Sequence, residues 1–222
     1  RSATELDLHR ATAWMELGSV LRTTNQYTEA LLALEHAFEE DVFQLYRPIL
    51  LRYRFDAALG AQRYDVAAEA CRTGMAEGPD DVRFSDCELL LLSRAGADRR
   101  QAALAQARAD RLARSDPGTL NTALRELWLA EILERAGLAD SADRVAQRAL
   151  AGAPTTWLPL LLPEAAYLRV LRGERDSAVA LVVAAVRQDP SIRRSVRSAP
   201  WFLPLHSDPR FIAAVGASPT RP

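Results

Sequence analysis

His9, His36 and His206, Cys71 and Cys87, and the acid pairs Glu39-Glu40 and Asp80-Asp81 are the side chains in this chain that could hold a metal, attack a carbonyl or move a proton. A zinc set needs Cys and His at short fixed spacings, and scattered histidines with two cysteines do not make one. No Gly-rich phosphate loop, nucleophile elbow or His-Glu-x-x-His occurs. The acid pairs fall at expected helix ends, where solvated terminal charge is a plainer role than catalysis. The expectation is therefore no enzyme, no cofactor and no metal. Cys71 and Cys87 fall on successive expected helices. Buried free thiols are the expectation, because Cys is among the most buried residue types. A disulfide in an oxidising compartment is the alternative. Arg193, Arg194 and Arg197 make a small basic stripe, read as a solvated face that could also contact an acidic partner.

The elements that must position these residues repeat. Asp140-Ser141-Ala142 opens a stretch in which Ala146, Ala149 and Pro154 follow Ala142 at fixed offsets. The same frame recurs at Ala30, Ala67, Ala105 and Ala178, in steps of 37, 38, 37 and 36 residues. Twelve residues past each Ala stand Val42, Pro79, Pro117, Pro154 and Pro190. Small residues let helix backbones approach. Proline ends one helix and suits the first turn of the next. A lone helix pair cannot bury both apolar faces, so neighbours must stack. Helices are expected at about 9–24 and 27–40, 45–61 and 64–77, 81–95 and 99–115, 118–136 and 139–152, and 157–172 and 175–188. Asn25, Gly137 and Gly173 suit left-handed turns between them. The turn Ala95-Gly96-Ala97-Asp98 comes early, which predicts a longer second helix there. Pro163 predicts a kink or a late start in the helix that contains it. No stretch alternates for long enough to suggest a strand.

Trp14-x-x-Leu17-Gly18-x-x-Leu21, followed by Tyr27, Ala30, Leu34 and Ala37, resembles the tetratricopeptide repeat family. Leu21 stands where the family has Tyr, Leu34 where it has Phe and Val42 where it has Pro. Repeat two keeps Tyr64, Ala67 and Pro79 but has Arg54-Phe55 in place of Leu-Gly. The resemblance implies an all-α, right-handed α-solenoid of about five helix pairs plus a C-terminal capping segment. It makes residues 1–222 a single array, with repeats at about 11–42, 45–79, 81–117, 118–154 and 157–190 and a cap at 191–216. The phrase Pro204-Leu205-x-Ser207-Asp208-Pro209-Arg210-Phe211 is similar to the ends of bacterial signalling proteins that carry such regions. These include sensory Ser/Thr kinases, adenylate cyclases and winged-helix regulators. It implies that the natural C-terminus is present. Trp201, Phe202, Leu205 and Phe211 would cover the apolar face of the last repeat, with His206 packed or hydrogen-bonded among them.

In the family, the first helix of each pair lines a concave surface. Fourteen residues before each marker Ala stand Glu16, Tyr53, Leu91, Trp128 and Glu164. Fifteen before stand Met15, Arg52, Leu90, Leu127 and Pro163. Eleven before stand Ser19, Asp56, Arg94, Glu131 and Tyr167. Glu88 is the alternative to Leu91, given the early turn. The groove expected to bind a partner is Arg52, Tyr53, Trp128, Glu131 and Tyr167, since aromatics and Arg most often anchor interfaces. The plainer role for Trp128 is packing between repeats. The co-chaperone branch clamps a peptide carboxylate with Lys and Asn. Met15, Ser19 and Arg52 in a chain without Lys do not fit that role. An alternative patch is Trp157, Leu158, Leu160 and Leu161, more apolar than one buried face needs; extra packing is its plainer role.

The 28 basic residues are all Arg and stand against 29 acidic ones, a net charge of −1. That balance points away from nucleic acid and from an anionic membrane surface. No apolar run approaches the roughly 20 residues of a membrane helix. No signal peptide is visible, and the first residue is Arg1, not Met, as in a trimmed or processed chain or a fragment. Two readings of function follow. One is a bacterial signalling scaffold or regulatory module that binds a peptide or partner helix in the cytoplasm. The other is a stand-alone adaptor or accessory subunit docking on a larger, membrane-associated complex. A removed leader would place the chain in the periplasm.

Overall fold

The computed structural model describes residues 3–41, 43–79, 81 and 84–216, with side chains from Arg10 onward. Val42, Asp80 and the His9 side chain, all singled out above, lie outside the described residues. Every regular element among them is helical. The helices are α1 (Ala3–Thr23), α2 (Tyr27–Glu40), α3 (Arg47–Gly60), α4 (Tyr64–Glu77), α5 (Cys87–Ala95) and α6 (Arg99–Ser115), then α7 (Leu120–Arg135), α8 (Ala139–Ala151), α9 (Leu158–Leu171) and α10 (Arg175–Gln188). Two short helices close the chain, α11 (Arg193–Ser198) and α12 (Pro209–Val215), separated by a 3-10 turn at Pro200–Leu205. The helices gather into two compact units, Arg1–Leu91 and Leu92–Pro222.

In the first unit α1 packs on α2, α2 on α3, and α3 on α4. In the second, α6 packs on α7, α7 on α8 and α9, α9 on α10, and α10 on α12. The marker residues Ala30, Ala67, Ala105, Ala142 and Ala178 are all buried, with no more than 3% exposure. Gly18, packed on Leu34, shows how close the approach is: an added Cβ would sit 2.7 Å from the Leu34 side chain. Ala130 and Ala166, at the equivalent place in the fourth and fifth repeats, are also fully buried.

Four of the connections share one geometry. Asn25, Gln62, Gly137 and Gly173 all have positive φ, between 59° and 73°, and each lies five residues before its marker Ala. After each, the next N–H reaches back to a carbonyl of the last helical turn: Gln26 to Leu21 and Arg63 to Ala58 at 2.8 Å, Leu138 to Leu133 and Glu174 to Arg169 at 2.9 Å. This is the Schellman closure, which satisfies carbonyls left over at a helix end. The third repeat departs from it. Its left-handed residue, Gly96, lies nine before Ala105, so α6 starts one turn earlier and is 17 residues long where α2, α4 and α10 are 14. A capping box holds that start: Asp98 Oδ1 accepts from the Gln101 N–H at 2.7 Å and Gln101 Oε1 from the Asp98 N–H at 2.9 Å. The first helix of this repeat, α5, begins at Cys87, six residues later than the spacing predicts, and the boundary between units falls within it.

One expectation is corrected and one is narrowed. Cys71 and Cys87 are not free thiols. They form a disulfide between α4 and the first residue of α5, with Cα atoms 5.8 Å apart. Phe84 wedges against Gly74 just before α5 and helps bring the two cysteines together, with no room for a Cβ at residue 74. Pro163 does not delay its helix. α9 runs from Leu158 through Pro163 to Leu171, after a 3-10 turn at Thr155–Trp157. Pro163 lies early in α9, and Pro159 occupies its first turn, where a missing N–H costs no intrahelical bond.

The C-terminal segment packs as a cap. Phe202, Leu205, Phe211, Val196 and Val215 join Ala178, Val179, Val182 and Val186 of α10 in one buried cluster. Each fully buried Phe or Leu contributes about 1.5–3 kcal/mol of apolar transfer. The phrase around Asp208 has a local cause. Asp208 accepts from the Arg210 N–H at 2.8 Å as the N-cap of α12, Pro209 opens the helix, and Phe211 turns inward. His206 packs against the Phe211 ring, centroids 5.2 Å apart.

Gln62 is strained where its equivalents are glycines or asparagine. An L side chain in this region costs about 1–2 kcal/mol, against about 0.5–1 kcal/mol of extra chain entropy for Gly. Gln62→Gly should raise the stability by up to about 1 kcal/mol in urea unfolding, and Gly137→Ala should lower it by a similar amount. Opening the Cys71–Cys87 loop should be larger. For a separation of 16 residues, chain entropy gives about 3 kcal/mol. A Cys71→Ala, Cys87→Ala double variant should melt well below the oxidised protein, and reducing agent should shift only the latter.

Candidate functional site

Arg94 stands eleven residues before Ala105, as Glu131 and Tyr167 stand eleven before their own marker alanines. In the second unit the three come together. Arg94 leaves the end of α5 and is 3% exposed. Its Nη1 donates to the carboxylate of Glu131 on α7, and its Nη2 to that of Glu164 on α9. The guanidinium carbon lies 4.6 Å from the ring centres of both Tyr167 and Trp201. Trp128 Nε1 donates to Glu164 at 3.1 Å. Arg135 closes the far side, donating to the carbonyls of Ser93 and Arg94 at 3.0 and 3.1 Å and to the Tyr167 hydroxyl at 2.5 Å.

The electrostatics follow from burial. Removal from water pushes the Glu131 carboxyl well above its usual range; Arg94 pulls it down and neighbouring Glu164 pushes it further up. Burial also works against the Arg94 charge, but Glu131 and Glu164 together outweigh it and hold the guanidinium protonated. One arginine facing two carboxylates thus favours a proton retained on Glu131. Burial raises the Tyr167 hydroxyl as well, opposed by Arg135 and Arg94.

The first unit builds a smaller cluster around Asp56 and Tyr53, with its arginines supplied from other offsets. Asp56, eleven before Ala67, receives Arg22 at 3.3 Å and Arg52 at 3.2 Å. The Arg22 guanidinium lies 4.7 Å over the Tyr53 ring. Burial raises the Asp56 carboxyl against the pull of Arg52 and Arg22. Arg52 is therefore engaged with Asp56 and does not stand at a groove edge unpaired.

Of the expected groove, Trp128, Glu131 and Tyr167 converge in the second unit, and Arg52 and Tyr53 in the first. Glu131 is 0% exposed and accepts from Arg94. Tyr167 is buried too, spent on Arg94 and Arg135. Trp128 keeps part of its surface in water. In the alternative patch, Leu161 is fully buried and contributes nothing outward. Leu160 is 47% exposed, flanked by half-buried Trp157 and Leu158. Spacing singled out neither Arg135 nor the second role of Trp201. Arg135 sits in the last turn of α7, off the marked offsets, and Trp201 lies outside the repeats. Arg94, Asp56 and Glu164 did fall on the offsets, but nothing in the sequence distinguished a buried pair from a surface charge.

Among the described residues no group of three or more His, Cys, Asp or Glu could hold a metal ion, and no helix is long and apolar enough to cross a membrane. No family model, curated protein or solved structure matches the chain.

The cluster predicts a pH response with a definite sign. Glu131 binds its proton more tightly folded than unfolded, so its contribution is present below the unfolded value near 4.5 and is lost as pH rises through the folded value. Glu131→Gln mimics the protonated acid and should flatten that fall in urea titrations run from pH 5 to 8. Arg94→Met strands two carboxylates in the interior and should cost about 3–5 kcal/mol.

Proposed function

We propose that this chain is a right-handed α-solenoid of tetratricopeptide-like helix pairs. In this reading it serves as a scaffold or regulatory module, binds a peptide or a partner's helix, and forms part of a bacterial signalling protein. The observation that carries the reading is the register of the polar contacts. Arg94–Glu131 and Trp128–Glu164 join residues 37 and 36 apart. Those are the steps from Ala105 to Ala142 and from Ala142 to Ala178, so α5, α7 and α9 of the second unit meet through equivalent positions, as stacked repeats would. The face where they meet carries Trp128, part-buried and fixed at its N–H by Glu164. A rigid aromatic held this way loses little entropy on binding and is the usual kind of interface anchor.

Panning a random peptide library on the full chain tests the reading. Enriched peptides should bind Trp128→Ala more weakly by about 2 kcal/mol or more, roughly thirtyfold, with helicity by circular dichroism unchanged. Equal binding to both proteins would remove Trp128 as an anchor, and loss only in Leu160→Asp would move the site to the Trp157–Leu160 edge.

One observation favours the second reading, a stand-alone accessory subunit outside the cytoplasm. The buried Cys71–Cys87 bond suits an oxidising compartment, where disulfides persist. Trapping thiols in intact cells before lysis, then mass spectrometry of the peptides, separates the two. Unmodified, bonded cysteines support the accessory subunit; alkylated ones support the cytoplasmic module.

A further inference from the structure

The cap does more than cover α10. Between α10, α11 and α12 lies an open groove of about 630 Å³, within the range of ligand-sized sites. Its floor is apolar, formed by Val179, Val183, Ala184 and Ala214. Every charged side chain that lines it is an arginine: Arg187 from α10, Arg193 from α11 and Arg210 from α12. Arg210 is engaged with Asp208 and Asp176. Arg187 and Arg193 have no acidic partner among the described residues, and both are exposed.

The charge of the surrounding chain points the same way. Residues 187–222 contain six arginines and two aspartates, and no glutamate. The whole chain has a net charge of −1, so the near-neutral total conceals a basic end. Small side chains on the floor leave room for another backbone or helix to come close, and guanidinium groups at the rim are suited to carboxylates. A purely electrostatic ligand such as a nucleic-acid backbone would need no apolar floor.

We propose that this groove is a second docking site, distinct from the face bearing Trp128, and that it takes an acidic amphipathic segment of a partner protein. Leucine-sized anchors enter the floor, and flanking carboxylates pair with Arg187 and Arg193. The site does not depend on the scaffold reading above, because no residue is shared between them.

The probe is a fluorescein-labelled helical peptide of Glu and Leu with leucines at i, i+3, i+4 and i+7, alongside a version with Lys in place of Glu. Fluorescence anisotropy on the full chain should show binding of the Glu peptide, weakened by salt, and little binding of the Lys peptide. An Arg187→Glu, Arg193→Glu double variant should lose at least about tenfold for the Glu peptide and gain affinity for the Lys peptide. That gain is a result a folding defect cannot imitate. Trp128→Ala should bind the Glu peptide as wild type does, which keeps this test separate from that of the inner face. Unchanged binding of the Glu peptide by the double variant overturns the proposal. So does binding of a labelled single-stranded oligonucleotide without binding of the Glu peptide. Self-association that the double variant abolishes, with no peptide binding, assigns the groove to a second copy and overturns it equally.

Discussion

Close approach of helix backbones at the marker alanines is the constraint on which the rest of this structure depends. Ala30, Ala67, Ala105, Ala142 and Ala178 are buried, with no more than 3% exposure, and Gly18 lies too close to Leu34 for an added Cβ. Interiors of this kind are packed at crystal-like density, so a methylene at a crossing shifts whole helices. Once those crossings are fixed, the residues eleven and fourteen positions earlier are fixed too. That is how Arg94, Glu131, Trp128, Glu164 and Tyr167 come to meet from three helices.

The cluster around Arg94 is costly as well as cohesive. Burying a guanidinium and two carboxylates forfeits hydration worth several kcal/mol per ion. The return is divided among two carboxylate contacts, two ring faces and the Arg135 hydrogen bonds. Arg94 Nε and Glu131 Oε1 are left without a partner, so the network is not fully satisfied. A hydrophobic replacement of the whole set could match it in stability. What the polar set adds is discrimination. An apolar crossing tolerates a slip along the helix, whereas one arginine between two acids and two rings accepts a single register.

How much of this was legible in the sequence depends on distance along the chain. The alanine period, the left-handed residues at Asn25, Gly137 and Gly173, the early turn at Gly96 and the apolar cap were readable, because each is set by local backbone geometry or by side-chain size. Gln62 was not, since nothing in its type announces a positive φ; only its place five before Ala67 does. The disulfide stood only as the alternative because neither cysteine sits in a motif. What pairs them is a reversal of the chain near Phe84, packed on Gly74, and that is a tertiary fact. Glu131 lies at its expected offset, but its complete burial was not legible. Spacing locates a side chain on a helix face, but only the neighbouring helices decide whether that face reaches water.

The distribution of arginine gives the two candidate surfaces different characters. In the interior cluster, Arg94 and Arg135 are bonded to carboxylates, carbonyls and rings of their own chain, and they fix geometry. At the cap, Arg187 and Arg193 stand in water over an apolar floor. Screening weakens such charges beyond about 8–10 Å at physiological salt, so they act on a ligand already at the groove and govern which one stays. Trp128, half buried and fixed by Glu164, offers the complementary property of area with little entropy to lose. A partner that carries an aromatic-binding pocket and one that carries an acidic helix would therefore engage different residues of the second unit, and neither would need the other's contacts.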